Sequence, residues 1–123
     1  MRPGDYEIIV VDDDVSMSLA IERLLSAAGW SVRSFVSAEA LLEDGNFAGA
    51  AVLILDIQLP GISGLELHRQ ISAGGGLTPV IFITALDGAD TREQAVQAGG
   101  VIFTKPFDGS ELIQEIRRHL PAA

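Results

Sequence analysis

Ala50-Ala51-Val52-Leu53-Ile54-Leu55-Asp56 is an apolar run closed by a carboxylate. The run has the length of a strand and falls far short of the roughly 20 residues that a membrane helix needs. Ala51 to Leu55 shows no polar alternation, so a strand here is buried on both faces.

Similar runs recur on either side of it. Glu7 to Val11 reads as a strand, Pro79 to Ile83 as a strand that is apolar throughout, and Trp30 to Phe35 and Val101 to Thr104 as two more. Helical patterns lie between them. Val15 to Ala28 carries Ala20, Ile21, Leu24, Leu25 and Ala28 on one stripe and stops at Gly29. Ser37 caps a short helix that buries Leu41 and Leu42. Gly64 to Ser72 turns Leu67 and Ile71 inward before Gly74-Gly75-Gly76 breaks it. Ala89 to Ala98 is a helix with few large apolar residues. Asp108 and Glu111 have capping-box spacing for a last helix, with Leu112, Ile113, Ile116 and Leu120 on its buried stripe. Arg117, Arg118 and His119 complement its dipole. Strand and helix alternate along residues 1–123 without linker or repeat, as expected of one domain. The expected architecture is a doubly wound, flavodoxin-like α/β domain with helices on both faces of a five-stranded parallel sheet, order 2-1-3-4-5.

In such sheets ligands bind at the carboxyl ends of the strands, where the order reverses. The first strand is followed by Asp12, Asp13 and Asp14, the third by Asp56, the fourth by Thr84 and the fifth by Lys105. Strands one and three are neighbours in this order, so their aspartates should meet. Two unit charges about 4 Å apart repel by about 1 kcal/mol in water and several-fold more near a protein surface. A divalent cation removes that cost. Carboxylate oxygens without His or Cys suit magnesium, manganese or calcium rather than zinc. Magnesium leaves room for a phosphoryl group, and a carboxylate can attack phosphorus to form an acyl phosphate.

Seventeen acidic residues against eight basic ones give a formal charge of −9, which argues against direct nucleic-acid binding by this chain. There is no cysteine, so disulfides and thiolate metal sites are excluded. Met1-Arg2-Pro3-Gly4-Asp5 does not open a secretory signal, and a cytoplasmic location without membrane contact is expected. The Leu120-Pro121-Ala122-Ala123 ending suits either a free-standing regulator or the stub of a linker.

Four stretches together resemble the receiver domain of two-component response regulators over essentially the whole chain. They are Val10-Val11-Asp12-Asp13-Asp14, the segment from Leu53 to Gly64, Pro79-Val80-Ile81-Phe82-Ile83-Thr84-Ala85 and Thr104-Lys105-Pro106-Phe107. The wording is closest to receivers that precede a helix-turn-helix output domain. The resemblance implies that Asp56 is the phosphoacceptor. It implies that Asp12 and Asp13 bind magnesium with Asp56, Asp13 being the preferred direct ligand, and that the Gln58 carbonyl is a further ligand. Thr84 matches the switch hydroxyl and Lys105 the phosphate-binding lysine, with a cis bond to Pro106 common in the family. A sensor kinase phosphohistidine, or a phosphotransfer protein, is the implied donor. The implied readout is a surface of the fourth helix, fifth strand and fifth helix, which often forms a homodimer.

Two positions depart from the family. An aromatic switch residue usually stands three positions before the lysine; here that position is Ile102, and Phe103 is next to it. Either Ile102 replaces the ring, or a local shift lets Phe103 act. Leu86, two positions after Thr84, cannot orient an attacking water, so slow self-dephosphorylation is expected. A half-life of seconds for the isolated phosphorylated domain would contradict this.

Each residue also has a plainer reading. Asp14 reads as a helix cap, Thr84 alone as a strand-end hydroxyl, and Lys105 alone as a solvated lysine. His68 and His119 read as surface residues, and Trp30 and Phe35 as packing. A haloacid-dehalogenase-type phosphatase needs an aspartate where Gln58 stands. A flavin module needs a Ser/Thr-rich loop where Asp12-Asp13-Asp14 stands. A degenerate receiver that only binds partners is the remaining alternative, which the complete Asp12, Asp13, Asp56, Thr84 and Lys105 set opposes.

Overall fold

The computed structural model describes residues 6–76, 78–85 and 88–120. Leu86 and the terminal stretches 1–5 and 121–123, on which some expectations rest, lie outside them. The order of elements is β1 (Glu7–Val11), α1 (Val15–Ala27), β2 (Ser31–Phe35), α2 (Ala38–Asp44), β3 (Val52–Asp56), α3 (Gly64–Ala73), β4 (Val80–Thr84), α4 (Ala89–Gln97), β5 (Val101–Thr104) and α5 (Gly109–Arg118). The strands form one sheet in the order β2-β1-β3-β4-β5, all pairs parallel, as expected.

Every residue of β3 and β4 is buried, and so are Ile8 to Val11 of β1. Side-chain alternation divides these strands between two cores. Ile8, Val10, Val52, Ile54, Ile81 and Ile83 pack with Ile21 and Leu25 of α1 and Leu112 and Ile116 of α5. Ile9, Val11, Leu53, Leu55, Val80 and Phe82 pack with Leu41 of α2, Leu67 and Ile71 of α3 and Ala95 of α4. Each fully buried aliphatic or aromatic side chain contributes about 1.5–3 kcal/mol of transfer free energy. The outer strands β2 and β5 are only half covered, so burial on both faces holds for the three central strands.

Two boundaries differ from the sequence reading in a way that matters. Strand β3 runs through Asp56 and β4 through Thr84, so both are strand residues rather than the first residues of a loop. The ladder continues past the apolar runs: Ile57 N donates to Ile83 O at 2.9 Å and Lys105 N to Thr84 O at 2.8 Å. Trp30, expected in β2, instead follows the end of α1, where its N–H donates to Leu25 O. Gly29 (φ 98°) makes that turn.

The helix caps fall where the sequence places them, whereas several buried positions differ. Asp14 caps α1 by accepting from Met17 N, and Ser37 caps α2 through Ala40 N, both as read. Asp108 caps α5 as read; its carboxylate accepts from the amide and hydroxyl of Ser110, and these bonds, with the Glu111 N–H, hold its pKa down. Leu42, Ile113 and Leu120 are only half-buried, whereas Glu115 is buried and paired with Arg118 and His119. His68 is not a plain surface residue: it is half-buried, its ring meets Phe82 edge-on at 5.7 Å, and burial lowers its pKa. Helix α4 buries Ala95 alone and leaves Val96 exposed, so little apolar area holds it to the sheet.

Candidate functional site

The carboxyl ends of β1, β3, β4 and β5 bring Asp12, Asp56, Thr84 and Lys105 together. Lys105 Nζ donates to Asp12 Oδ2 at 2.9 Å and to Asp56 Oδ2 at 3.0 Å. The other carboxylate oxygens are held by backbone amides. Asp14 N donates to Asp12 Oδ1 at 2.9 Å, and Gln58 N donates to Asp56 Oδ1 at 3.0 Å. Asp12 and Asp56 are buried, while Asp13 is exposed at the rim. One carboxylate oxygen from each of Asp12, Asp13 and Asp56 lies within 4.8 Å of the others.

The charges are unbalanced. Two buried carboxylates face one ammonium, and Asp13 adds a third negative charge. Burial pushes the Asp56 carboxyl up to about 6; the Lys105 hydrogen bond pulls the other way, and Asp12 adds to the rise. Burial also works against the Lys105 ammonium, but its bonds to Asp12 and Asp56 outweigh that and raise its pKa. A cluster of hard oxygens carrying excess negative charge fits a magnesium or manganese ion.

Sequence reasoning placed these residues correctly on one rim, but it missed three contacts. The Thr84 hydroxyl, fully buried, donates to the side-chain Oε1 of Gln58. The side chain of Glu39, from α2, accepts from Ile62 N at 3.2 Å and ties α2 to the loop after Asp56. Gly64 opens α3 so close to β3 that a Cβ there would stand 2.2 Å from the carbonyl oxygen of Asp56. No local pattern marks any of the three.

The alternation of β5 separates the two switch candidates. Ile102 pairs with Phe82 and packs in the core that faces α2, α3 and α4, the face that Thr84 shares by strand parity. Phe103 pairs with Ile83, packs in the opposite core and meets Phe107 edge-on at 5.7 Å. Between Lys105 and Pro106 the peptide bond is cis.

The profile of the family described as the response regulator receiver domain matches residues 8–117. The chain belongs to that family. The receiver is 38% identical over 117 residues to TodT, a response regulator protein of Pseudomonas putida, a match covering 94% of this chain and 52% of TodT. It is 36% identical over 110 residues to the DNA-binding transcriptional regulator NtrC of Klebsiella pneumoniae, covering 89% of this chain and 24% of NtrC. The structure is similar to that of a response regulator receiver protein from Burkholderia phymatum, with a TM-score of 0.82 and 37% identity, covering 96% of this chain and 97% of that one. The chain thus spans about half the length of TodT. As a receiver of a two-component response regulator it is a signalling domain rather than an enzyme acting on a pool of substrate. Among the described residues, no helix is long and apolar enough to cross a membrane.

Proposed function

We propose that this receiver, one domain over residues 1–123, accepts a phosphoryl group on Asp56 from a phosphohistidine of a sensor histidine kinase or a phosphotransfer protein. The observation that carries this reading is the pair of hydrogen bonds that Lys105 Nζ donates to Asp12 and Asp56, with Asp13 within reach. An Asp56 oxygen forms the new bond to phosphorus, the N–P bond of the donor breaks, and its electron pair leaves on the imidazole. Asp12, Asp13, Asp56 and the Gln58 carbonyl would hold magnesium, or manganese, which offsets repulsion between carboxylate and phosphate. Lys105 then binds one phosphoryl oxygen and the Thr84 hydroxyl another.

Movement of Thr84 and Lys105 biases a surface of α4, β5 and α5, a shift between conformations already in equilibrium. The small buried area of α4 supports its being the element that moves. Ile102, on the face of Thr84, is the residue that follows it, and a phosphorylation-dependent homodimer through this surface is the proposed readout. The relative NtrC is a DNA-binding transcriptional regulator, which supports a DNA-binding output domain as the target of this surface; a helix-turn-helix form for that domain and a cytoplasmic location belong to the same proposal.

Intact mass after treatment with acetyl phosphate tests the central claim. The expected result is a gain of one phosphate that requires magnesium and disappears in Asp56→Asn. A gain without magnesium, or one that survives the substitution, would refute it.

A further inference from the structure

Gln58 touches both halves of the site. Its backbone N–H donates to Asp56 Oδ1 at 3.0 Å, while its side-chain Oε1 accepts from the Thr84 hydroxyl. Thr84 is fully buried and Gln58 is exposed, so the amide reaches from the rim onto a hydroxyl beneath it. A hydroxyl has one hydrogen to donate. While that hydrogen points at Gln58 Oε1, it is not available to a phosphoryl oxygen on Asp56.

We infer that Gln58 is a positioning residue whose side-chain oxygen holds the Thr84 hydroxyl in its unphosphorylated orientation and competes with the phosphoryl group for that one hydrogen. This rests on the reading of Asp56 as acceptor and Thr84 as its partner. A contact present in only one of two states shifts their equilibrium by its own free energy. For a neutral side-chain hydrogen bond the shift is about fivefold, which is about 1 kcal/mol at ~1.4 kcal/mol per factor of ten. Loss of the Gln58 oxygen therefore favours the state in which Thr84 turns to the anion. Leucine has a similar volume and no acceptor. Because Gln58 is exposed, the change leaves both cores intact.

The test is calorimetric titration with beryllofluoride, an anion shaped like a phosphoryl group, in the presence of magnesium. Gln58→Leu, and Gln58→Ala as a second variant, are made on the Thr84, Thr84→Ser and Thr84→Ala backgrounds. The expected result is a Kd about fivefold lower for either Gln58 variant when residue 84 carries a hydroxyl, and no change in the Thr84→Ala background. An unchanged or weaker Kd with Thr84 present would overturn the inference, as would equal tightening in the Thr84→Ala background. Wild-type protein that binds no beryllofluoride would overturn the reading of Asp56 as well, so the two failures are distinguishable.

Discussion

Lys105→Met is expected to destabilise the metal-free receiver by about 3 kcal/mol at pH 8, and magnesium is expected to restore part of the loss. The lysine ammonium lies 2.9 Å from one buried carboxylate and 3.0 Å from another. Removing one partner of a buried ion pair typically costs about 3–5 kcal/mol, because the opposite charge is left unpaired. The side chain of Lys105 is 15% exposed, which places the expected cost at the lower end. The pH dependence has a definite sign. Asp56 already binds its proton more tightly in the folded state, at about 6, than at its ordinary 3.8. Without Lys105 its pKa rises further, so the folded state binds more protons than the unfolded one across that window. Stability therefore falls as pH rises through it. The variant should lie closer to wild type at pH 5 than at pH 8. Urea denaturation in EDTA at the two pH values checks this, and repetition with magnesium checks the rescue. A loss equal at both pH values and indifferent to magnesium would show that Lys105 acts only by packing. The same variant should take phosphate from acetyl phosphate about 100-fold more slowly, the usual effect of removing one preorganised charge from a developing anion.

Gly64→Ala is expected to cost about 3 kcal/mol, where helix propensity alone predicts a gain of about 1 kcal/mol. The added Cβ would stand 2.2 Å from Asp56 O, 2.9 Å from Asp56 C and 3.1 Å from Ile57 Cα. All three are backbone atoms, so no side-chain rotation relieves the contact. Either α3 moves away from the sheet, breaking the bond from Gly64 N to Ile57 O (3.1 Å), or the end of β3 moves. Both displace Asp56, and a misplacement of about 1 Å at a reacting group can cost 100-fold in rate. Gly49→Ala is the control, since a Cβ added there would meet nothing within 4 Å. It should stay within about 0.5 kcal/mol of wild type. Thermal denaturation and phosphorylation by acetyl phosphate, measured on both variants, decide the matter. A Gly64→Ala protein as stable as wild type would refute the close approach.

Much of the fold was legible because its signals are local. Ile8 to Val11, Val52 to Leu55 and Val80 to Ile83 are apolar without alternation, and only a sheet covered on both faces buries such strands whole. Asp14, Ser37 and Gly29 act where the sequence put them, because a cap or a left-handed turn depends on a few neighbouring residues. Asp108 likewise caps α5 as its spacing implies, while the Ser110 hydroxyl that joins the cap is marked by no spacing rule.

The sequence by itself determined which groups stand at the strand ends: Asp12, Asp13, Asp56, Thr84 and Lys105 follow from where each hydrophobic run stops. Only the tertiary structure decided whom they touch. It put one ammonium between two buried carboxylates, turned the Thr84 hydroxyl to Gln58, set Ile102 rather than Phe103 on the face of Thr84, and pressed Gly64 against Asp56. Periodicity reports which face a side chain takes. Pairing across 26, 49 or 93 positions depends on register and loop path, which no local pattern encodes.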